Sequence, residues 1–196
     1  MIIGLCGIQG AGKDTVGEIL ISNHNFIKLS FASALKDTLA VLFSWPRELL
    51  EGTTEESRIW RETVNKFWAE KTGMADFTPR KALQFFGTNL LRDNFCKDIW
   101  LNIVENKINE LVKTNPDINI VITDCRFLNE LNFIKKSFPK ALVIKINRTT
   151  ENSQSNWSAN HTSETEWKDF NFDLELENNG SIEDLRNSVK NIIENN

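Results

Sequence analysis

The chain carries its densest set of chemically active residues near its beginning, in the segment Gly7–Thr15, which reads GIQGAGKDT. Backbone N–H groups of such a glycine-rich turn can close around phosphate oxygens, and Lys13 adds a mobile ammonium for the terminal phosphates. Asp14 occupies the position where this pattern ordinarily has Ser or Thr, and the hydroxyl follows one residue later at Thr15. The spacing predicts a triphosphate site, with Thr15 or Asp14 directed toward magnesium. The predicted triphosphate contacts are Gly7, Gly10, Ala11, Gly12, Lys13, Asp14 and Thr15.

A strand and a helix must hold this turn from its two sides. Residues 2–6 form a short apolar run without charge, which is typical of a strand buried on both faces. Val16, Ile19 and Leu20 follow with helical spacing, so the partial positive charge of a helix N-terminus faces the turn. The alternative is a glycine-rich turn before an ordinary helix. The upstream strand and the spacing of the glycines and the lysine argue against it.

A carboxylate and an arginine follow the apolar run Ile118–Thr123, in the sequence Asp124-Cys125-Arg126. A carboxylate at the carboxyl end of a buried strand, downstream of a phosphate-binding turn, positions magnesium or its water ligands. The alternative is that Asp124 caps a helix or belongs to a turn. Arg126 lies two residues further on and can point into the same crevice. We predict that Asp124 approaches the metal, directly or through water, and that Arg126 adds positive charge.

Further cationic residues lie between these two motifs. Lys36 comes in the first turn of a helix after the second predicted strand, where it either contacts an anion or is a solvated helix lysine. Arg80 and Gln84 share one face of a helix that begins at Thr78-Pro79, and Arg92 lies further along the chain. Guanidinium groups bind phosphate bidentately, whereas any one of these arginines taken alone is more typical of a solvated surface helix.

A polar segment follows the next predicted strand, Leu142–Ile146. Arg148 lies at its root, and residues 149–163 are rich in Thr, Ser and Asn with little to bury. Such a loop with an arginine at its root predicts a lid; the alternative is a disordered surface loop with a solvated arginine. His161 and Glu164 lie at the end of this segment and are equally compatible with an exposed helix cap.

Composition restricts the class of protein. The chain has 196 residues, of which 40% are hydrophobic and 26% charged, as expected of one globular domain with a sizeable core. Its net charge of −4 argues against a surface that coats nucleic acid, so we expect no nucleic-acid partner. Three widely spaced cysteines without a CxxC pair indicate reduced thiols and a cytoplasmic location. No segment has the length of a membrane span, so we expect no membrane partner.

The order of predicted elements is strand and helix in alternation, with about five strands. This order predicts one α/β domain over residues 1–196, a three-layer fold with a five-stranded parallel sheet flanked by helices. Right-handed crossovers would place the ends of the first and third strands side by side, bringing Lys13 and Asp124 together. No strong strand signal occurs between residues 30 and 117, so we predict a helical, substrate-binding insertion at about 45–100 and a lid at 149–163.

Aromatic residues are concentrated in the first half of this insertion. Trp60, Val64, Phe67 and Trp68 have the spacing of one helical face, which predicts that this aromatic content is mostly core. The tryptophans are also compatible with a homodimer surface.

Several stretches together resemble the bacteriophage-type deoxynucleoside monophosphate kinases, which are kinases with a phosphate-binding P-loop related to adenylate kinase. The segment RxxLQxxGT and the strand end DxR are more selective than the widespread P-loop, and the form GKDT also fits this family. The resemblance extends from the first strand to the last helix. The matching stretches are Gly7–Thr15, Phe77–Phe95, Asp98–Trp100, Ile122–Glu130, His161–Glu164 and the ending ENNGSIEDL.

The resemblance implies an acceptor site for a deoxynucleoside monophosphate. Arg80 and Arg126 are then contacts to the acceptor monophosphate. Gln84, Arg92 and Trp100 lie around the nucleoside. The alternative among kinases of the same fold is another small phosphorylated acceptor, such as dephospho-coenzyme A or phosphomevalonate.

The resemblance also implies a donor site for ATP with Mg²⁺. Lys13, Arg126 and Arg148 are then the catalytic residues. Arg148 is the lid arginine that meets the transferring phosphoryl group. Asn178 to Gly180 resembles the loop beside the ATP base. His161 and Glu164 also match the family pattern, but no role for them follows from the residues. If the gene is that of a phage, the location is the host cytoplasm.

A P-loop switch or a nucleic-acid motor is the alternative of another class. A GTPase has DxxG after the third strand and an NKxD base reader, whereas this strand end reads Asp124-Cys125-Arg126-Phe127 and no NKxD occurs in the chain. Hydrolysis of ATP stimulated by nucleic acid, without an acceptor, would favour that class.

Overall fold

The computed structural model describes residues 1–8, 10–149, 167 and 169–196. Within these residues five strands form one sheet in the order β2-β3-β1-β4-β5, and every neighbouring pair is parallel. The predicted five-stranded parallel sheet is therefore confirmed. The strands are β1 (Ile2–Cys6), β2 (Phe26–Leu29), β3 (Asn119–Cys125), β4 (Leu142–Asn147) and β5 (Leu174–Glu177).

The helices of the described residues alternate with these strands or form a consecutive group between β2 and β3. A short 3-10 turn, Glu48–Leu50, and a π-helical segment, Phe85–Arg92, belong to that group. None of these helices combines the length and the apolar composition needed to cross a membrane. The helices are α1 (Lys13–His24), α2 (Ser33–Phe43), α3 (Glu55–Glu62), α4 (Lys66–Thr72), α5 (Pro79–Gln84), α6 (Ile99–Thr114), α7 (Leu128–Ser137) and α8 (Ile182–Glu194).

Helices cover both faces of the central strand β1, because successive side chains of a strand point to opposite faces. Ile3 and Leu5 are fully buried in a cluster that contains apolar residues of α1 and α8. Gly4 faces the other way, where an added Cβ would lie 2.7 Å from the side chain of Ile134 in α7. Burying an Ile or Leu in this way contributes about 1.5–3 kcal/mol. The three-layer arrangement predicted from the alternating elements is confirmed.

The chain divides into two compact units. The sheet unit comprises Met1–Phe31 and Val104–Asn196, and the helical unit comprises Ala32–Ile103. No strand occurs between residues 30 and 117, all of which are described, as the absence of strand signals there predicted. The proposed substrate-binding region at 45–100 falls within the helical unit. Of the predicted lid at 149–163, only residue 149 lies within the described residues.

Side-chain caps determine where the short helices of the helical unit begin. Thr54 and Ser57 form a reciprocal capping box at the start of α3. Thr78 accepts from the backbone N–H of Lys81 and Pro79 is the first residue of α5, as the sequence predicts. Local side-chain hydrogen bonds therefore define where α3 and α5 begin.

The prediction that Trp60, Val64, Phe67 and Trp68 share one helical face is wrong. The chain leaves the helical conformation after Glu62, and α4 starts anew because the side chain of Asn65 accepts a hydrogen bond from the Trp68 N–H at 3.1 Å. Phe67 is in consequence 60% exposed. Trp68 still packs into an aromatic core, which is centred on Phe43. The rings in mutual contact with Phe43 are those of Trp45, Trp68, Phe77 and Phe86.

Candidate active site

The segment Gly7–Thr15, here called the phosphate loop, joins β1 to α1 and curves around its own lysine. The Lys13 ammonium donates to the carbonyl oxygen of Gly7 at 2.7 Å and to that of Ile8 at 2.9 Å. Lys13 is 7% exposed, which is rare for a lysine and requires such partners. The positive charge is thereby fixed inside the loop, close to the N-terminus of α1, where it can meet a polyphosphate.

Gly7 lies where the chain leaves β1 and passes close to the neighbouring strand. Its φ is +149°, and an added Cβ would lie 2.6 Å from the carbonyl oxygen of Ile146 in β4. That oxygen belongs to backbone, so the loop can start here only with a residue that has no side chain.

Asp14 and Thr15 occupy the first turn of α1, and both are exposed. The Asp14 carboxylate accepts a hydrogen bond from the Lys28 ammonium of β2 at 3.3 Å. Because both side chains of this pair are solvated, it contributes little to stability. The Thr15 hydroxyl and the Asp14 carboxylate are oxygen donors at the helix N-terminus, the type of ligand that Mg²⁺ prefers.

Asp124 lies at the carboxyl end of β3, the strand next to β1. The register pairs Cys6 with Cys125, so the phosphate loop and Asp124 follow adjacent strand ends. The two carboxylate oxygens accept from the hydroxyl of Ser30 at 2.6 Å and from the backbone N–H of Phe31 at 2.9 Å. Asp124 therefore joins the ends of β3 and β2, a role that nothing in the local sequence of Ser30 indicates.

We expect Asp124→Ala to lower the free energy of unfolding by about 1–3 kcal/mol, because it removes the acceptor of a hydroxyl and of a backbone N–H. Asp124→Asn keeps the shape of the side chain and should cost less. Urea denaturation of both variants measures the difference. Equal stability of wild type and Asp124→Ala would show that these two hydrogen bonds are dispensable.

The backbone around Arg126 is held by a buried glutamate. Glu130 is 3% exposed, and one of its carboxylate oxygens accepts from the backbone N–H of Arg126 at 2.7 Å and of Phe127 at 3.0 Å. The Arg126 side chain itself is exposed beyond the end of β3. Glu130 was not among the predicted site residues; its position three residues after Phe127, the N-cap of α7, is the capping-box spacing that could have identified it.

The two cysteines at these strand ends are not suited to nucleophilic chemistry. Cys6 and Cys125 are both fully buried, and neither belongs to a disulfide. Burial raises the pKa of the Cys125 thiol, and the nearby carboxylates of Glu130 and Asp124 raise this pKa further. A thiol of this kind remains protonated and unreactive at neutral pH.

Arg148 follows the end of β4 and is exposed. Together with Ile8 of the phosphate loop, Thr149 and Trp167, it lines a pocket of about 260 Å³. The pocket lies within the sheet unit, beside the loop that carries Lys13. His161 and Glu164 lie outside the described residues, so their predicted contributions stay predictions.

The segment after β5 contacts both the phosphate loop and the residue after Arg148. The Asn178 side-chain amide donates to the carbonyl oxygen of Ala11 at 2.8 Å. The side-chain oxygen of Asn179 accepts from the backbone N–H of Thr149 at 2.6 Å. Gly180 is exposed and directly precedes Ser181, the N-cap of α8.

In the helical unit, two of the predicted acceptor-site cations are held by carboxylates. The Lys36 ammonium is 2.6 Å from a carboxylate oxygen of Glu51, whose other oxygen meets Arg47. Arg80 forms an ion pair with Glu62. Lys36 is 15% exposed at its side chain, so this pair is better shielded from solvent than the pair formed by Asp14. The carboxylate partners were not predicted, because they lie on other helices or turns.

The remaining predicted acceptor residues surround the π-helical segment Phe85–Arg92. Gln84 is exposed and directly precedes it, and Arg92 is half-buried at its end. The indole N–H of Trp100 donates to the carbonyl oxygen of Gly87 at 3.0 Å. Extra-wide helical turns of this type occur frequently at functional sites. The indole of Trp100 therefore supports the backbone of this segment.

The pKa of Glu51 predicts a pH dependence of stability. Burial alone would raise the pKa of this carboxyl, but the hydrogen bonds and charges of Lys36 and Arg47 outweigh it and lower the pKa. A lowered pKa in the folded state adds stability that is present above the ordinary glutamate pKa of about 4.3 and is lost as the pH falls through the folded-state pKa. We expect Glu51→Gln to lower the free energy of unfolding at pH 7 by less than about 1 kcal/mol, since the pair is partly solvated. Thermal melts from pH 7 to pH 3 should show the gap closing below about pH 4. A gap that persists unchanged would contradict this.

Comparison with known proteins shows which family the chain resembles over most of its length. The family model for deoxynucleotide monophosphate kinase matches residues 48–189. A protein of Acanthamoeba polyphaga mimivirus, named as a deoxynucleotide monophosphate kinase, is 34% identical over 100% of this chain and 97% of its own. The deoxynucleoside-5'-monophosphate kinase of Escherichia phage T5 is 27% identical over 70% of this chain and 72% of its own.

A likeness at the level of the fold alone extends further. The solved structure of a dephospho-CoA kinase from Campylobacter jejuni has a TM-score of 0.52 at 15% identity, covering 98% of this chain and 95% of that chain. The family match covers well over half of the chain, and the mimivirus relative covers all of it. The chain belongs to the deoxynucleotide monophosphate kinase family.

Proposed function

We propose that this chain transfers the terminal phosphoryl group of ATP to a deoxynucleoside monophosphate, giving ADP and a deoxynucleoside diphosphate. Membership of the family supports the reaction class. The observation that carries the donor half is the buried Lys13 ammonium, held by two carbonyl oxygens of its own loop at the N-terminus of α1. Such a preorganised charge is what a polyphosphate requires.

Phosphoryl transfer demands little covalent work from a protein, because positioning and charge stabilisation supply most of the catalysis. Lys13, Arg126 and Arg148 provide positive charge for the transferring group and its neighbours. Glu130 fixes the backbone from which Arg126 extends, by accepting from its N–H at 2.7 Å. The residues proposed to bind the acceptor nucleotide are Lys36, Arg80, Gln84, Arg92, Trp100 and Arg126.

Magnesium belongs to this proposal as the ion that neutralises phosphate charge when bound. The Thr15 hydroxyl, the Asp14 carboxylate and the Asp124 carboxylate are the oxygen donors available at the phosphate loop and the adjacent strand end. They fit Mg²⁺, which takes one or two protein oxygens with several waters and phosphate oxygens. The hydrogen bonds of Ser30 and Phe31 to Asp124 orient its carboxylate at the strand end.

An acceptor panel tests the function directly. Purified protein is incubated with ATP, Mg²⁺ and each deoxynucleoside monophosphate, each ribonucleotide counterpart, dephospho-coenzyme A or phosphomevalonate, and both products are quantified by chromatography. We expect ADP and a diphosphate product in equal amounts with at least one deoxynucleotide. Product formation with dephospho-coenzyme A or phosphomevalonate alone would overturn the proposal, as would ADP release that requires nucleic acid instead of an acceptor.

Two further parts of the proposal concern the context of the enzyme. Three cysteines, none of them in a disulfide, support a cytoplasmic location, the host cytoplasm in the case of a phage gene. Light scattering on the purified chain would decide between a monomer and the homodimer that the exposed aromatic residues of the helical unit allow.

A further inference from the structure

Asn178 follows β5 directly and reaches across to the phosphate loop, 167 residues earlier in the chain. Its side-chain amide donates to the carbonyl oxygen of Ala11 at 2.8 Å, and the residue is 9% exposed. Its own backbone N–H donates to the carbonyl oxygen of Asn147 at 2.8 Å, at the end of β4. The position of the amide is thus fixed by the sheet, and the amide in turn fixes Ala11.

The residue after Ala11 in the phosphate loop is Gly12, which has no side chain on the side that faces Asn178. Gly12 has a φ of +102°, and an added Cβ would lie 2.2 Å from the amide nitrogen of Asn178. The asparagine amide therefore fills the space that a side chain at position 12 would need. Ala11 is fully buried, so its carbonyl oxygen depends on protein donors of this kind.

We propose that Asn178 is a positioning residue, which holds the phosphate loop in its phosphate-binding shape, and that its side chain does not read the base of ATP. This inference rests on the proposed function and refines it, since the loop after β5 was expected to lie beside the base. The side chain is buried against loop backbone between Ala11 and Gly12, whereas Asn179 and Gly180 are the exposed residues of that segment.

A base-reading role and a loop-positioning role for Asn178 predict different effects of its substitution on kcat/KM. A residue that contacts the base acts on the selectivity among nucleoside triphosphates. A residue that shapes the phosphate loop acts on the part that all nucleoside triphosphates share. Loss of the Asn178 amide should therefore lower kcat/KM for every donor by one common factor, on the order of tenfold or more, the size expected when a buried carbonyl loses its donor.

The test compares ATP with GTP in wild type, Asn178→Asp and Asn178→Ser. Asn178→Asp has the same shape but places a carboxylate oxygen against the Ala11 carbonyl, whereas Asn178→Ser removes the contact without repulsion and serves where the aspartate variant does not fold. Asn187→Asp, on the exposed surface of α8, adds the same charge elsewhere and should behave as wild type. Thermal melts of all samples confirm that folded protein is assayed.

We expect kcat/KM for ATP and for GTP to fall together, with their ratio unchanged within about threefold and the aspartate variant the more affected. A larger change of the ratio would assign Asn178 to the base and overturn the proposal. Unchanged kcat/KM for both donors in both variants would also overturn it. The measurement uses whichever acceptor the wild type phosphorylates, so a wrong acceptor assignment and a wrong role for Asn178 are distinguishable.

Discussion

Lys13→Ala is expected to abolish phosphoryl transfer, with kcat/KM lowered by about 10³-fold or more. The variant loses a cation that is buried inside the phosphate loop and held by the carbonyl oxygens of Gly7 and Ile8. It also loses those two hydrogen bonds, which lowers the stability of the fold. Because the free-energy cost of burying an ammonium is removed at the same time, the two effects offset each other and the fold should persist. Turnover is measured with the best acceptor of the panel, and circular dichroism with a thermal melt verifies folding.

Two companion variants make this result specific. Lys13→Arg keeps the charge but cannot fit the same pair of carbonyl oxygens, and should recover only a small part of the activity. Lys190→Ala removes an exposed lysine of α8 and should leave turnover unchanged. Near wild-type turnover in a folded Lys13→Ala protein would show that Lys13 does not stabilise the transferring phosphoryl group.

Gly7→Ala is expected to lower the free energy of unfolding by about 3 kcal/mol or more and to abolish activity. The new methyl group would meet the backbone oxygen of Ile146 at 2.6 Å, and the φ of +149° is strained for a residue with a side chain. Relief would require moving β1 away from β4, whose register runs from Ile3 with Leu142 to Cys6 with Lys145. Urea denaturation and the yield of folded protein measure the effect.

Gly10→Ala is the matched control for this substitution. Gly10 also has a positive φ, +82°, but an added Cβ there meets no atom of the described residues within 4 Å, its chain neighbours aside. Its cost should be limited to the backbone preference, about 1–2 kcal/mol. Equal destabilisation by the two variants would mean that the close approach to Ile146 is not what requires glycine at position 7.

The elements that the sequence predicts correctly are those governed by local patterns. An uncharged apolar run identifies β1, and the glycine spacing with Lys13 identifies the loop before α1. Thr78-Pro79 marks the start of α5 because capping and ring geometry act within one helical turn. The cap of α5 joins residues three apart in the sequence. β1 is recognised from its own apolar composition, although the strands it pairs with lie far along the chain.

The features that the sequence does not reveal join residues far apart in the chain. The spacing of residues in the sequence does not predict that Arg80 pairs with Glu62. Nor does it predict that Asp124 pairs with Ser30. The break between α3 and α4 is a local exception, in which the Asn65 side chain caps α4 at the Trp68 N–H instead of continuing a helix. Polar residues of this kind satisfy either a helix or a turn locally, and tertiary packing decides between them.

The placement of β1 in the middle of the sheet has a consequence for biosynthesis. β1 is made before the other four strands of the sheet, yet its two neighbours, β3 and β4, begin at Asn119 and Leu142. A growing chain on the ribosome must therefore carry an unpaired apolar strand until β3 has emerged. Sheets that close late in this way fold slowly and expose surfaces that aggregate. Chaperone binding to nascent chains should accordingly be strongest before β3 emerges and decline once β4 is complete.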